Sequence, residues 1–316
     1  MPRKKYKNFL VTGVSGYYGS VLLRYLSEAE QWAKIVGIDI KKPKKQYPFL
    51  DFRKMDIRDP DLEDVLKDEG IDTVAHLAFP TNVFASDRKV RDINISGARN
   101  MLDCSVRAGV KKFVYISSTT AYGAFPENED FVDEAQPIRA TPDFFYTRDK
   151  VEIEKMMEEY RGKNKNIKFV VIRPSIITGE AIHHIFLLIL RILYFIPAPA
   201  GVNPMLQAVH EDDLARATWL LLSSDCEGTY NITGDGGVPV REFFRMLGKR
   251  PLPISGVWIR KRAKHLEKLG ITVPIAGMID LLSYPWTVSN EKIKKEFDFV
   301  FEYDSRAAFQ EFAKQI

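Results

Sequence analysis

The sequence predicts an α/β chain: a doubly wound parallel sheet with a smaller C-terminal lobe. Three observations carry this reading. Short apolar runs alternate with amphipathic stretches through the first half, a glycine-rich turn joins the first run to the first helix, and the alternation breaks after Pro174. Phe9 to Thr12 reads as a strand and Ser20 to Glu28 as a helix, with Val21, Leu22, Tyr25 and Leu26 spaced along one helical face. Lys34 to Ile40, Phe52 to Asp56, Thr73 to Leu77, Lys112 to Ser117 and Phe169 to Arg173 continue as strands. Helices are expected near Asp61 to Asp68, Asp92 to Ala108 and Thr147 to Tyr160. Past Pro174, Pro and Gly cluster between Pro197 and Pro204, a helix resumes over Asp212 to Leu222, and Thr229 to Thr233 reads as one more strand. The expected division is residues 1–175 as the sheet domain, with 208–234 returning to it, and 176–207 plus 235–316 as the smaller lobe.

A chain of 316 residues, 45% apolar and 28% charged, has ample material for a buried core, which excludes disorder. The formal charge of +4 is small and the acids are spread throughout, so nucleic acid is not an expected partner. Two cysteines, Cys104 and Cys226, fit a reducing compartment and read as small buried residues rather than metal ligands. The basic start is followed by only a short apolar run, which is no signal peptide, so the expected location is the cytoplasm. Ile185 to Ile196 is strongly apolar but interrupted by Arg191 and closed by Pro197, short of the roughly 20 residues a membrane span needs. It reads as buried helix or interface.

Gly13-Val14-Ser15-Gly16-Tyr17-Tyr18-Gly19 lies between a strand and a helix, the context in which a glycine triplet binds a dinucleotide. One glycine makes the turn, one lets the backbone approach a pyrophosphate, and one lets helix and strand pack closely. The helix N-terminus then faces the phosphates. Asp39 ends the second strand 20 residues after Gly19, where its carboxylate can accept from ribose hydroxyls and repel a 2′-phosphate. NAD is therefore the expected cofactor on a Rossmann-type sheet, with NADP kept open by Lys41 and Lys42. Asp56-Ile57, at the third strand's end, is expected near the adenine, although an Asp there also serves as a turn residue.

Tyr146 and Lys150 stand four apart, so a helix puts them on one face. An ammonium beside a phenol favours the phenolate, which a general base acting on an alcohol requires. Upstream, Val114-Tyr115-Ile116 runs into Ser117-Ser118-Thr119-Thr120-Ala121-Tyr122-Gly123, a strand ending in hydroxyls. Strand ends face the ligand crevice of such sheets, so a serine there can donate to a substrate oxygen.

The glycine loop, Asp39, His76-Leu77-Ala78, Asn94 with Gly97, the serine segment, Tyr-x-x-x-Lys and Arg173-Pro174 follow one another as in the extended short-chain dehydrogenases. The chain resembles their NAD-dependent epimerase/dehydratase family from Gly13 to about Asp213. The resemblance implies Tyr146 as base, Lys150 as its partner and ribose ligand, and Ser118, four before Tyr122, as hydroxyl donor. It further implies cofactor contacts from Gly13, Gly16, Tyr17, Tyr18, Gly19, Asp39, Asp56, Ile57, Leu77, Ala78, Tyr146, Lys150 and Arg173, with no metal. A homodimer through two long helices of the first lobe is a further expectation of the family.

The chain departs from the family where sugar-nucleotide enzymes grip the diphosphate. Arg173 to Gly179 contains no Asn, and the residue four before His210 is Leu206 rather than Arg. Apolar stretches at Ile185 to Ile196 and Ile271 to Leu282, with Tyr194, Phe195 and Trp258 near them in sequence, suit a lipophilic substrate or an interface. Three functions follow. The leading one is an NAD-dependent oxidoreductase or epimerase acting on a secondary hydroxyl of a small molecule, of the nucleotide-sugar epimerase kind. The second is a dehydrogenase or reductase of a steroid-like alcohol or ketone. The third is a dinucleotide-binding protein without turnover.

Overall fold

The structure, a computed structural model, describes residues 8–28, 34–81, 87–142, 144–179, 194–268 and 275–316. Strands β1 to β6 span Phe9–Thr12, Ile35–Asp39, Leu50–Lys54, Thr73–His76, Lys112–Ile116 and Lys168–Pro174. Strands β7 to β13 span Ile176–Thr178, Phe195–Pro199, Met205–Leu206, Ala208–His210, Gly228–Ile232, Val238–Pro239 and Arg250–Ile254. Helices α1 to α5 span Tyr17–Glu28, Leu62–Asp68, Asp87–Arg107, Phe145–Lys163 and Glu211–Ser223.

Seven strands form one sheet in the order β11-β6-β5-β4-β1-β2-β3, with β1 to β6 paired in parallel. The order runs outward in both directions from β1 and β4, the switch point at which sheets of this kind bind their ligands. Strands β1, β4 and β5 are buried at every residue, which is why they read as continuous apolar runs rather than alternating ones. Leu10, Val36, Val74, Phe113 and Phe169 from the sheet pack with Leu62 and Leu66 of α2, Met101 and Leu102 of α3, and Met156 of α4.

Several boundaries differ from the sequence reading, α3 for one beginning at Asp87 rather than near Asp92, and two differences bear on the site. Helix α1 begins at Tyr17, not Ser20, because Gly19 has no side chain to obstruct the first turn: a Cβ there would lie 2.2 Å from the Gly13 carbonyl oxygen. Strand β3 pairs Leu50 to Lys54 with Ile35 to Asp39, so it ends before Asp56, which enters a turn.

The chain divides into two compact units, residues 1–117, 152–172 and 215–230, and residues 118–151, 173–214 and 231–316. The second unit contains short pairings, β7 with β10, β9 with β12, and β8 with β13. Its polar ties are specific: the Asp213 carboxylate accepts from the Glu302 and Tyr303 amides at 3.0 Å, and Tyr303 stacks on His210 at 4.1 Å. Of the two apolar stretches singled out above, residues 185–193 and 271–274 lie outside the described residues. Phe195 and Ile196 open β8, and Ile275–Leu281 is helical.

Candidate active site

In the first unit, Thr12 ends β1 and its Oγ1 accepts the Leu77 and Ala78 amides at 3.2 and 3.1 Å. This holds the chain leaving β4 against the chain leaving β1. Gly13 then turns with φ +73°, and a Cβ on it would stand 2.8 Å from both Ala78 N and Ala78 Cα. Only glycine satisfies that conformation and that contact together. Gly16 is exposed and donates its amide to the Gly13 carbonyl at 3.0 Å. No acidic side chain occupies the first turn of α1, so the positive end of that helix meets no carboxylate from its own first turn.

Asp39 closes the loop from below. Its Oδ2 accepts the Ser15 amide and its Oδ1 the Lys41 amide, each at 3.0 Å, and each oxygen keeps a second acceptor site. A glycine cradle, a helix N-terminus with no acid in its first turn and a fixed acceptor fit a dinucleotide with free ribose hydroxyls.

Other residues named for the cofactor have occupations of their own. Tyr18 is half-buried with its hydroxyl 2.5 Å from Thr218 Oγ1, and burial pushes its phenol above the ordinary range. The Asp56 carboxylate is gripped by Arg58, with Nε to Oδ1 at 3.0 Å and a terminal nitrogen to Oδ2 at 2.7 Å, which holds it below the usual carboxylate range. Ile57 is buried against Gly97, where an added Cβ would come within 2.3 Å of Ile57 Cδ1. The backbone oxygen of Tyr17 accepts from Ser20 Oγ at 2.6 Å. His76 is buried, its Nδ1 3.0 Å from Thr12 Oγ1 and its ring stacked on Tyr115, a structural role.

In the second unit, Ser118 caps the single turn Thr119–Tyr122. Its Oγ accepts the Thr120 amide at 3.2 Å and the Thr120 hydroxyl at 3.0 Å. A hydroxyl has two acceptor sites and one hydrogen, so Thr120 takes the former and leaves the hydrogen to donate. Ser118 is hydrogen-bonded to the Tyr146 phenol. The neighbouring Ser117 hydroxyl is committed to Glu154, which separates the two serines.

Tyr146 stacks on Phe144 with ring centres 5.7 Å apart, and buried Lys150 places Nζ 5.7 Å from the Tyr146 ring centre. The sequence reading expects the lysine to lower the phenol toward working pH. Burial instead pushes the Tyr146 phenol up, and the Ser118 hydrogen bond is what draws it back. Desolvation disfavours the phenolate, while a donor aimed at the oxygen favours it.

Arg173 is buried with its guanidinium 4.6 Å over the Tyr122 ring. The Tyr122 hydroxyl in turn donates to Asn231 Oδ1 at 2.8 Å, with its phenol pushed up to about 12 by burial. Leu206, standing where a clamp arginine is expected, is buried and paired with Val238. Sequence reasoning missed Thr120 and Phe144. The signal for Thr120 was present, since a hydroxyl residue two past a serine at a strand end is a side-chain-bonded turn.

The chain matches the NAD dependent epimerase/dehydratase family over residues 9–233. An uncharacterized protein of Mycobacterium tuberculosis is 23% identical over 320 residues, covering 97% of this chain and 83% of that protein. The sterol-4-alpha-carboxylate 3-dehydrogenase of Saccharomyces cerevisiae is 28% identical over 187 residues, covering 55% of this chain and 52% of that enzyme. Among solved structures, UDP-glucose 4-epimerase of Thermus thermophilus in complex with NAD superposes with TM-score 0.74 at 20% identity, covering 98% of each chain. The glycine cradle, the switch-point sheet and the match over most of the chain lead to one conclusion: this protein is an enzyme of the NAD dependent epimerase/dehydratase family.

Proposed function

We propose that the protein oxidises a secondary hydroxyl of a nucleotide-sugar-like small molecule with NAD and returns the hydride, so that the carbon is epimerised. The observation that carries this is the hydroxyl chain Thr120, Ser118, Tyr146, with Lys150 one helical turn further along α4. Gly13, Gly16 and Gly19 with the α1 N-terminus would hold the pyrophosphate, and Asp39 the adenosine ribose. When bound, NAD supplies the acceptor for the hydride and, once bound as the cation, a positive charge that favours the phenolate.

The chain's own residues do the rest. Tyr146 takes the hydroxyl proton as a general base, and Ser118 donates to the same substrate oxygen as it becomes a carbonyl. Reversal of both steps from the opposite face of the carbon gives the epimer and leaves no net NADH. Incubation with NAD and UDP-glucose, UDP-galactose and their uronic acids, followed by NMR of the sugar, tests the reading. Interconversion without net NADH is the expected result, and a full panel left unchanged overturns it.

A second reading rests on Leu206. That side chain is part of the packed core, and nothing at its position can hold a diphosphate oxygen, as an arginine fork would. A lipophilic alcohol needs no such clamp, and a yeast relative is by name a sterol dehydrogenase. Stoichiometric NADH from a 3-hydroxysteroid, with no turnover of sugar nucleotides, decides for this reading.

A further inference from the structure

Strands β8 and β13 form a parallel two-stranded ribbon in which Phe195 pairs with Arg250 and Pro197 with Leu252. Paired residues share a face, and alternation puts Ile196 and Ala198 on the other. On that other face Ile196 and Ala198 are buried, although Pro253, which pairs with Ala198, is exposed; Phe195, Pro197, Arg250 and Leu252 are all exposed. A half-buried ribbon ordinarily turns polar residues outward. Here the outward face is mostly apolar.

The helix Gly256–Lys268 follows β13 after one residue. It turns Ile259 inward and ties Arg260 to Asp280, while Val257 is 79% and Trp258 52% exposed, beside exposed Lys261 and Arg262. Cations lie against the aromatic rings, with the Arg262 guanidinium 5.3 Å from the Trp258 ring centre and that of Arg250 5.7 Å from Tyr194. Of the eight exposed large apolar side chains among the described residues, five (Tyr194, Phe195, Leu252, Val257 and Trp258) belong to this ribbon and helix. Such concentration marks an interaction surface rather than scatter.

The charge around the apolar side chains says what the surface fits. From Lys249 to Leu266 the chain carries six Lys or Arg and no Asp or Glu, and of the six Arg260 is paired with Asp280. A second copy related by two-fold symmetry would set this patch against itself and oppose its cations. A nucleic acid would answer the cations but offer nothing to Leu252 and Val257. An anionic bilayer answers both, with headgroup charge for Arg and Lys and the acyl boundary for Trp, Phe, Leu and Val.

We propose that this ribbon and helix dock the enzyme peripherally on an anionic phospholipid surface. No helix among the described residues is long and apolar enough to span a membrane, so the contact is interfacial. The inference does not depend on which substrate the enzyme turns over.

The test is co-sedimentation of the full chain with phosphatidylcholine vesicles and with the same vesicles containing phosphatidylserine. Binding to the anionic vesicles alone, weakened by added salt, is expected. Lys261→Glu with Arg262→Glu should weaken it at least about twentyfold, near fivefold for each charge. Leu252→Ala with Trp258→Ala should abolish it, with the thermal midpoint of each variant unchanged because these side chains are on the surface. Trp258 fluorescence, identified by subtraction of Trp258→Phe, should shift to the blue on anionic vesicles. Equal sedimentation with both vesicle types, or none with either, overturns the proposal. So does a dimer in sedimentation velocity that the Leu252→Ala, Trp258→Ala variant converts to monomer, which would make the face a contact between copies.

Discussion

The smallest unit on which the proposed chemistry turns is a single hydrogen atom on Ser118. Thr120 fills both acceptor sites of that hydroxyl through its amide and its own hydroxyl, so the Ser118 hydrogen has only Tyr146 or a substrate oxygen to serve. Burial holds the Tyr146 phenol up and Ser118 counters it, so Ser118→Ala should raise that phenol further. If the phenolate is the base, as proposed, the acidic limb of the kcat/KM profile then moves to higher pH and neutral-pH activity falls; a profile in the unchanged position would refute the assignment. Tyr146→Phe should cost about 10² to 10⁴ in kcat, the ordinary worth of a general base, with NAD binding retained by calorimetry. That Ser118, Tyr146 and Lys150 would come together was legible because spacing along a strand end and a helix is a sequence property. The phenol's upward shift and the Ser118 hydrogen bond that counters it were not, since burial depends on residues distant in the chain.

At the scale of elements, the glycine loop tolerates almost no added volume. A methyl on Gly19 would sit 2.2 Å from the Gly13 carbonyl oxygen and 2.8 Å from Val14 Cα, both backbone, so the loop must open to admit it. Gly19→Ala should weaken NAD binding more than tenfold in titration calorimetry, whereas Gly162→Ala, where nothing lies within 4 Å of the added carbon, should leave it unchanged. The first strand of the serine segment has its own anchor. Lys112 opens β5 fully buried and donates to the Leu221 carbonyl in the last turn of α5 and to the Ser224 carbonyl just past it, where helix carbonyls lack intrahelical partners. Lys112→Met leaves the Ser224 oxygen without this donor and the Leu221 oxygen with only the weak Cys226 thiol, and should cost about 2 to 3 kcal/mol in chemical denaturation. Alternating strands and helices were readable for the first unit because short, largely apolar strands alternate there with amphipathic helices. The ribbon of β8 and β13 was not, as Pro197, Pro199, Pro251 and Pro253 argue against any strand unless it lies at an edge.

At the scale of the whole molecule, NAD binding becomes a measurement of cooperativity. A ligand that binds only the folded state at 100 times its Kd adds about 2.7 kcal/mol. With about 2.1 cal/mol/K of unfolding entropy per residue, a chain of 316 residues melting as one unit gains on the order of 4 °C. If the unit that carries the glycine cradle melts by itself, it holds about half the residues and the same free energy raises its midpoint by about 8 °C, in one of two calorimetric transitions. NADP at the same concentration should shift neither, because its 2′-phosphate would meet the Asp39 carboxylate that the Ser15 and Lys41 amides hold in place. Tyr146→Phe should show the parent's shift, which separates cofactor binding from turnover. An NADP shift as large as that of NAD would instead assign the ribose end of the cofactor to Lys41 and Lys42, and would remove Asp39 from the site.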